Sequence, residues 1–500
     1  MMAPRNVQPR KDSINRSGFI VWSTLLAFSC LFIVGGASFA QEVAPVQPPP
    51  PVQQTVDPLN PPQQNAEELP PLKYSGPLAN AGQQLHDAGL DLGLTYVNIY
   101  QNAVSTGFKP GSYIDVGLLI ADAKIHLSNL FQINFAETFY VPNINGDTYT
   151  LAVSNPFYPL PIIAAQSNLT RMTGEAHLLD GRLDLEGGRM GLNSDFMKKG
   201  FCGGIGCIPS TPAVTLGIPG DPLSVWGGRA SYNLAPGRKV SFGVIEDNPG
   251  AWQNGDGWNW RLGHSQGYIA VINLTQDESF LQTRNPLTYE IGAYRRSATY
   301  ADALYNTGWG NPTLLTPNPK IINHNEGDNG IYAQARKVLW STPGAGPAGP
   351  VLPKNIAAYG AFFSTFGDGV SYPLEAYAGL EYAGFIPENP LALIGLTVHY
   401  INLSNKQAYY ERNARLFYTA LSTGSAVDQL QPMSTFQFDL HGRVGVPNGI
   451  LDIGAAYMVN PDSGILADYS TTRAKNGFVI YATLAFDLSG ALGLSPGKGP

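Results

Sequence analysis

The strongest constraint on this chain is a two-residue alternation of apolar with smaller or polar side chains, which returns in segment after segment between Gly89 and Leu488. Near the C-terminus Phe478, Ile480, Ala482, Leu484 and Phe486 share one parity, against Val479, Tyr481, Thr483, Ala485 and Asp487. Successive side chains of a strand point to opposite faces, so this spacing makes one face fatty and leaves the other small and partly polar. Phe436, Phe438 and Leu440 alternate in the same way with Gln437, Asp439, His441 and Arg443, and Leu451, Ile453, Ala455, Tyr457 and Val459 alternate with Asp452 and Gly454. Between these two runs, Val446-Pro-Asn-Gly449 carries the Asn-Gly pair of a tight hairpin turn. Upstream, Leu179, Gly181, Leu183 and Leu185 oppose Arg182, Asp184 and Glu186, while Ala392, Ile394, Leu396, Val398 and Tyr400 oppose Gly395, Thr397 and His399.

About sixteen runs of this kind occur, near residues 89, 115, 131, 176, 224, 239, 267, 288, 330, 357, 374, 392, 409, 434, 450 and 477. Each matches the ~9–11 residues that a tilted strand needs to cross a bilayer, and an even count is what bacterial outer-membrane barrels require. Tight turns alternate with long polar connections such as 144–170, 247–265 and 302–329. The expected fold is therefore an all-β, antiparallel transmembrane barrel of about sixteen strands with short periplasmic turns and long external loops. A large secreted sandwich or propeller is the competing architecture, and no blade-length repeat supports the propeller.

Composition narrows the class further. Only 13% of residues are charged, against roughly 25% in soluble domains, while 22 Phe, 25 Tyr and 7 Trp give far more apolar surface than a disordered chain carries. The formal charge is −7, and Arg5, Arg10, Lys11, Asp12 and Arg16 fall in a leading segment whose removal makes the remainder more acidic. A nucleic-acid partner is excluded on that balance, because phosphate binding needs a basic surface.

That leading segment reads as an export signal: a basic start, an apolar run from Phe19 to Val34, and small residues in Ala37-Ser-Phe-Ala40 that predict cleavage after Ala40. A retained membrane anchor is the alternative. Residues 41–73, rich in Pro and Gln without hydrophobic periodicity, form an extended leader. The barrel then occupies 74–488 and a tail 489–500. With the signal removed, the remaining cysteines are Cys202 and Cys207, which in an oxidising compartment favour a small local disulfide over a metal site, since no second Cys or His pair stands nearby.

A barrel of this size encloses a water-filled lumen whose inward side chains set what passes. Arg182, Asp184, Glu186, Gln437, Asp439, His441 and Arg443 have the inward parity, with Arg189 and Arg229 close to strand ends. Their mixed signs suit a neutral polyhydroxy solute better than a phosphate. In Ala251-Trp-Gln-Asn-Gly-Asp-Gly-Trp-Asn-Trp260, Trp252, Trp258 and Trp260 alternate with amides and a carboxylate, a pattern for stacking on sugar rings or, equally, for an interfacial aromatic girdle or loop packing. Gly263-His-Ser-Gln-Gly267 matches a hydrolase nucleophile elbow, but a Trp-rich loop precedes Ser265 and a strand-like run follows it, where the elbow needs a strand and then a helix. No catalytic, cofactor or metal motif is therefore assigned.

Four segments make the chain resemble the carbohydrate-selective porin family (OprB-type) of Gram-negative outer membranes: Leu183-Asp-Leu-Glu-Gly-Gly-Arg-Met190, Asp195-Phe-Met-Lys-Lys-Gly-Phe-Cys-Gly203, Gly330-Ile-Tyr-Ala-Gln-Ala-Arg336, and the closing stretch Phe436 to Phe486 with Tyr457-Met-Val-Asn-Pro461. The resemblance spans roughly residues 75–488. It implies a sixteen-stranded porin admitting glucose and related sugars by passive transport, with Arg and acidic side chains at the constriction, and adds Gln334 and Arg336 to the lining. It also implies an outer-membrane location, lipid and assembly-machinery partners, and a monomer or homotrimer. Lys198 and Lys199 depart from the family, which usually carries Asn there, and Phe486 is followed by fourteen further residues where such barrels commonly end on an aromatic. The reading of a different class is a secreted or surface-attached carbohydrate-binding or carbohydrate-cleaving β-protein.

Overall fold

The alternating runs pair with their chain neighbours into one closed sheet. The computed structural model describes residues 74–141, 167–192, 196–198, 201–202, 224–248, 257–258, 260–262, 265–280, 282–305, 322–342, 353–368, 370–421, 430, 432–461 and 473–496. After helix α1 (Ala79–Asp87) come β1 (Leu90–Ala103), β2 (Ser112–His126), β3 (Phe131–Val141), β4 (Ser167–Leu178), β5 (Leu183–Met190), β6 (Val225–Ala235), β7 (Arg238–Asp247), β8 (Gly267–Asp277) and β9 (Leu287–Arg296). A two-stranded ribbon, β10 (Tyr300–Ala301) with β11 (Asn323–His324), sits in the following loop. Then come β12 (Asp328–Ser341), β13 (Asn355–Phe366), β14 (Leu374–Ala383), β15 (Leu393–Asn402), helix α2 (Asn405–Leu421), β16 (Ser434–Val446), β17 (Gly449–Val459), β18 (Gly477–Asp487) and α3 (Leu488–Leu492). Every strand outside the ribbon pairs antiparallel with its neighbours, and β1 closes on β18, giving sixteen in the barrel.

The count agrees with the sequence expectation, but two runs differ in a compensating way. The segment near 176 holds two strands, because Leu179, Asp180 and Gly181 take left-handed φ values of 53°, 55° and 76° and turn the chain between β4 and β5. The segment near 409 is a helix instead. Ser404 caps it by accepting from the Gln407 N–H at 3.1 Å, and Gln407 donates to Glu411 one turn on at 3.0 Å. Gln407, Ala408, Tyr410 and Glu411 are buried, a helical spacing.

Burial follows the parity. Ile394, Leu396, Phe438, Leu440, Ile453, Phe478 and Ile480 are exposed on the outside, whereas Thr397, His399, Gln437, Asp439, His441 and Asp452 are covered within. A surface so apolar on the outside is stable only against lipid. The inner wall is packed where a ring from one strand fills the space over a glycine of the next: Tyr294 and Gly330 are register partners, as are Tyr332 and Gly292. A Cβ at Gly330 would lie 2.2 Å from the Tyr294 ring. The hairpin at Asn448 is as read from the sequence, with Val446 opposite Gly449 and Asn448 at φ 55°.

Short turns such as 127–130, 179–182 and 447–448 lie at one rim, together with both described chain ends. There the Leu78 N–H donates to Leu492 O at 2.8 Å, and Asp487 caps α3 by accepting from the Gly490 N–H. At the opposite rim Asp302 joins two long loops, accepting from Lys406 Nζ at 2.6 Å and contacting His324 Nε2 at 2.8 Å. Burial alone would push the Asp302 carboxyl up, but these two side chains and the N–H groups of Leu304 and Tyr305 hold it down to about 2.

Candidate pore constriction

The stretch after β5 does not stay outside the barrel. Leu192, Phe196, Met197 and Cys202 form one cluster with Ile245, Ile269, Val271, Tyr294, Tyr332, Tyr359, Phe363 and Tyr377, whose strands place them on the inner wall. These four residues therefore lie against the inside of β7–β9 and β12–β14 and narrow the lumen there. Phe196 occupies the space above Gly243, where a Cβ would meet the ring at 2.5 Å.

A single carboxylate fixes this loop. Glu290 of β9, fully buried, accepts from the Met197 N–H (2.9 Å), the Lys198 N–H (3.0 Å), Asn273 Nδ2 (2.8 Å), Tyr332 Oη (2.8 Å) and Gln334 Nε2 (2.8 Å). Gln334 also donates to Lys198 O at 2.9 Å, so it ties the loop to β12 as well.

A second cluster lies on the inner face of β4–β6. Glu186 and Arg229 are register partners whose side chains meet at 2.6 Å, and Arg171 binds the other Glu186 oxygen, which also accepts from Thr173 at 2.5 Å. Arg229 reaches Glu175 at 3.4 Å, and Glu175 accepts from Gln132 at 2.7 Å and Asn134 at 3.0 Å. The Glu186 side chain is fully covered and Arg229 is 5% exposed, whereas Arg171 is 14% exposed and is the member that reaches open lumen. Further round the wall Arg336 faces Glu381 at 3.4 Å, Arg443 pairs with Asp452 at 2.6 Å, and Asp439 accepts from Tyr481 at 2.8 Å and contacts His441 at 2.8 Å.

The residues singled out from sequence divide accordingly. Glu186, Arg229, Gln334, Arg336, Asp439 and Arg443 all face inward. Asp184 has the same parity and contacts His177 at 2.8 Å near the short-turn rim. Arg182 departs from expectation: it sits exposed in the turn before β5, because the left-handed turn residues end the alternation one residue earlier. Arg189 departs too. It shares the outward register with Trp226 and Glu246, donates to Ser224 O at 2.5 Å, and lies over the Trp226 ring at 5.7 Å.

Trp258 and Trp260 stack on each other with centroids 6.3 Å apart, but they drape over the outer wall. Trp258 Nε1 donates to Glu137 at 3.1 Å, and Trp226 Nε1 donates to Trp260 O at 3.1 Å. Their place is that of loop packing, with no ring turned into the lumen. Trp252 and Cys207 lie outside the described residues; Cys202 is disulfide-bonded. Ser265 stands ahead of a strand, its hydroxyl donating to Gly267 O, without the following helix that an elbow requires.

Sequence reasoning missed Arg171, Thr173, Glu290, Asn273 and Tyr332. The parity of β4 places Arg171 inward, but the sequence shows β4 and β5 as a single alternating run near residue 176. Nothing local marks Glu290, since its partners come from segments up to 93 residues away in sequence.

Among the described residues, two groups place potential metal ligands close together, and neither fits an ion. Cys202, Glu381 and His441 converge, but a disulfide sulfur is no thiolate. Glu175, His177 and Asp184 converge as well, but the Glu175 oxygens already accept from Gln132, Asn134 and Arg229.

The model of the carbohydrate-selective porin, OprB family matches residues 89–431. A solved structure of Pseudomonas putida OprB, obtained at high pH, superposes with a TM-score of 0.65 at 20% identity, covering 81% of this chain and 96% of that one. The low-pH structure of the same protein gives 0.48 at 14% identity, covering 83% and 97%, and Salmonella typhi OmpF in complex with daunomycin gives 0.44 at 7%, covering 81% and 99%. No curated protein sequence matches the chain.

Proposed function

The chain belongs to the carbohydrate-selective porin, OprB family, and from that premise we propose that Arg171, braced by Glu186 and Arg229, is the group over which sugars pass. The protein is an outer-membrane channel for carbohydrates. Family and fold are those of channels rather than enzymes. The observation that carries the site reading is the Arg171–Glu186–Arg229 chain, in which one carboxylate is shared by two guanidinium groups on the inner wall. A guanidinium presents five N–H donors in a fixed plane. The partly exposed Arg171 guanidinium presents such donors to sugar hydroxyls in exchange for their hydration, while Gln132 and Asn134 beside Glu175 offer further polar edges. Binding of this kind is weak enough for release, as conduction requires.

The lumen is enclosed within one chain, so a monomer and a homotrimer both carry one pore per subunit. Lipid covers the apolar outer face, and the outer-membrane assembly machinery recognises β18 internally, ahead of the packed helix α3.

Cell fractionation followed by liposome swelling tests the reading. The protein is expected in the detergent-requiring outer-membrane fraction and, once purified, to admit glucose into liposomes. Recovery as a soluble secreted protein that leaves liposomes impermeable to sugars would favour a carbohydrate-binding β-protein instead.

A further inference from the structure

Among the described residues, Met197 is one of five non-glycine residues with a left-handed backbone, φ 52°. A left-handed residue in such a position costs on the order of 1 kcal/mol or more and persists only when its surroundings hold it. What holds it here is visible. The N–H groups of Met197 and Lys198 point together at the two oxygens of Glu290, the concave arrangement of consecutive amides that binds an anion. The anion is supplied by the barrel wall itself.

We infer that Glu290 is the positioning residue that sets the aperture of this pore. It reaches no solute, being fully buried. Its role is to pin residues 196–198 against β8, β9 and β12, so that Phe196 and Met197, with Leu192 and Cys202 beside them, stand at a fixed depth in the lumen. Three of its five donors, Asn273, Tyr332 and Gln334, belong to the wall, and the other two belong to the loop. Loss of the wall donors alone leaves the loop amides bound. Loss of the carboxylate removes the anchor and leaves the strained turn with no counter-charge.

The inference rests on the channel reading only in taking the lumen to conduct, and it is read out by pore size without reference to any sugar. Single-channel recordings with neutral polyethylene glycols of graded size give the largest polymer that enters. Glu290→Ala is expected to raise that cut-off and to increase single-channel conductance. Glu290→Gln, which keeps shape and volume, is expected to fall between wild type and Ala, because its amide nitrogen cannot accept from Lys198 and Gln334. Tyr332→Phe, which removes a wall donor only, is expected to match wild type. If Glu290→Ala does not fold, Glu290→Gln alone decides. An unchanged cut-off in Glu290→Gln, or an equal shift in Tyr332→Phe, overturns the assignment. A wild-type protein that forms no channel at all refutes the channel reading instead.

Discussion

Glu186 and Arg229 stand directly opposite each other on β5 and β6, with Oε2 and Nη2 2.6 Å apart, and neither side chain is more than 5% exposed. This covered pair faces the lumen, so its value is in orienting Arg171, which shares the same carboxylate and reaches open water. Removing one member of a covered ion pair costs up to ~3–5 kcal/mol where the other charge is stranded, and less for Glu186, which keeps Arg171 and Thr173. Arg229→Met is accordingly expected to lower the temperature at which the barrel loses its heat-modifiable gel mobility, and Arg171→Met to lower it much less.

The tryptophans of the loop before β8 give a prediction of opposite kind. Because Trp258 covers Glu137 on the outer wall, Trp258→Phe is expected to leave glucose entry unchanged while costing about 1–3 kcal/mol of stability through the lost donor. Liposome swelling and a denaturant titration separate the two effects. Slower glucose entry at full stability would return these rings to the solute path.

At the long-loop rim, Asp302 is held down to about 2 from an ordinary 3.8. A carboxylate whose folded value is depressed stabilises above its unfolded value and loses that contribution as pH falls through its folded one. Attachment of α2 to the loop carrying β10 and β11 is therefore expected to be intact above about pH 4 and to weaken towards about pH 2. Amide exchange in residues 405–412 should rise over that window, and in Asp302→Asn it should be raised already at neutral pH. Exchange that is flat across the window would show that Asp302 does not hold the two loops together.

Packing inside the wall makes Gly330 intolerant. Its Cβ would meet the Tyr294 ring at 2.2 Å, and overpacking of this sort costs about 1–3 kcal/mol, so Gly330→Ala is expected to lower the unfolding free energy by that amount and the midpoint with it. An unchanged midpoint would mean the ring moves freely.

What the sequence makes legible follows from how local each constraint is. Alternation and the Asn448-Gly449 turn depend on neighbours, so strands β15 to β18 and their inward residues were readable one by one. The β4–β5 turn is masked although Asp180-Gly181 is a turn pair, because the parity of Leu179, Gly181, Leu183 and Leu185 runs unbroken across it, and that hides Arg171 and misplaces Arg182. Arg189 was misjudged for a related reason, since the outward cluster that holds it involves Glu246 of β7 and Trp226 of β6. Glu290 was invisible because a buried carboxylate looks like any inward-parity acid until the loop folds onto it.

The central claim is that the Arg171 group handles sugar as a ligand rather than as one wall of a hole, and paired flux measurements on one double variant test it most directly. Arg171→Gln with Arg229→Gln keeps polar lining of nearly the same size while removing the guanidinium groups. In barrels of the double variant that keep heat-modifiable gel mobility, glucose flux into liposomes and sugar block of ion current should each fall roughly tenfold, while conductance in strong salt falls by less than about twofold. Equal proportional loss of glucose flux and conductance would contradict the account and leave these residues as determinants of pore width alone.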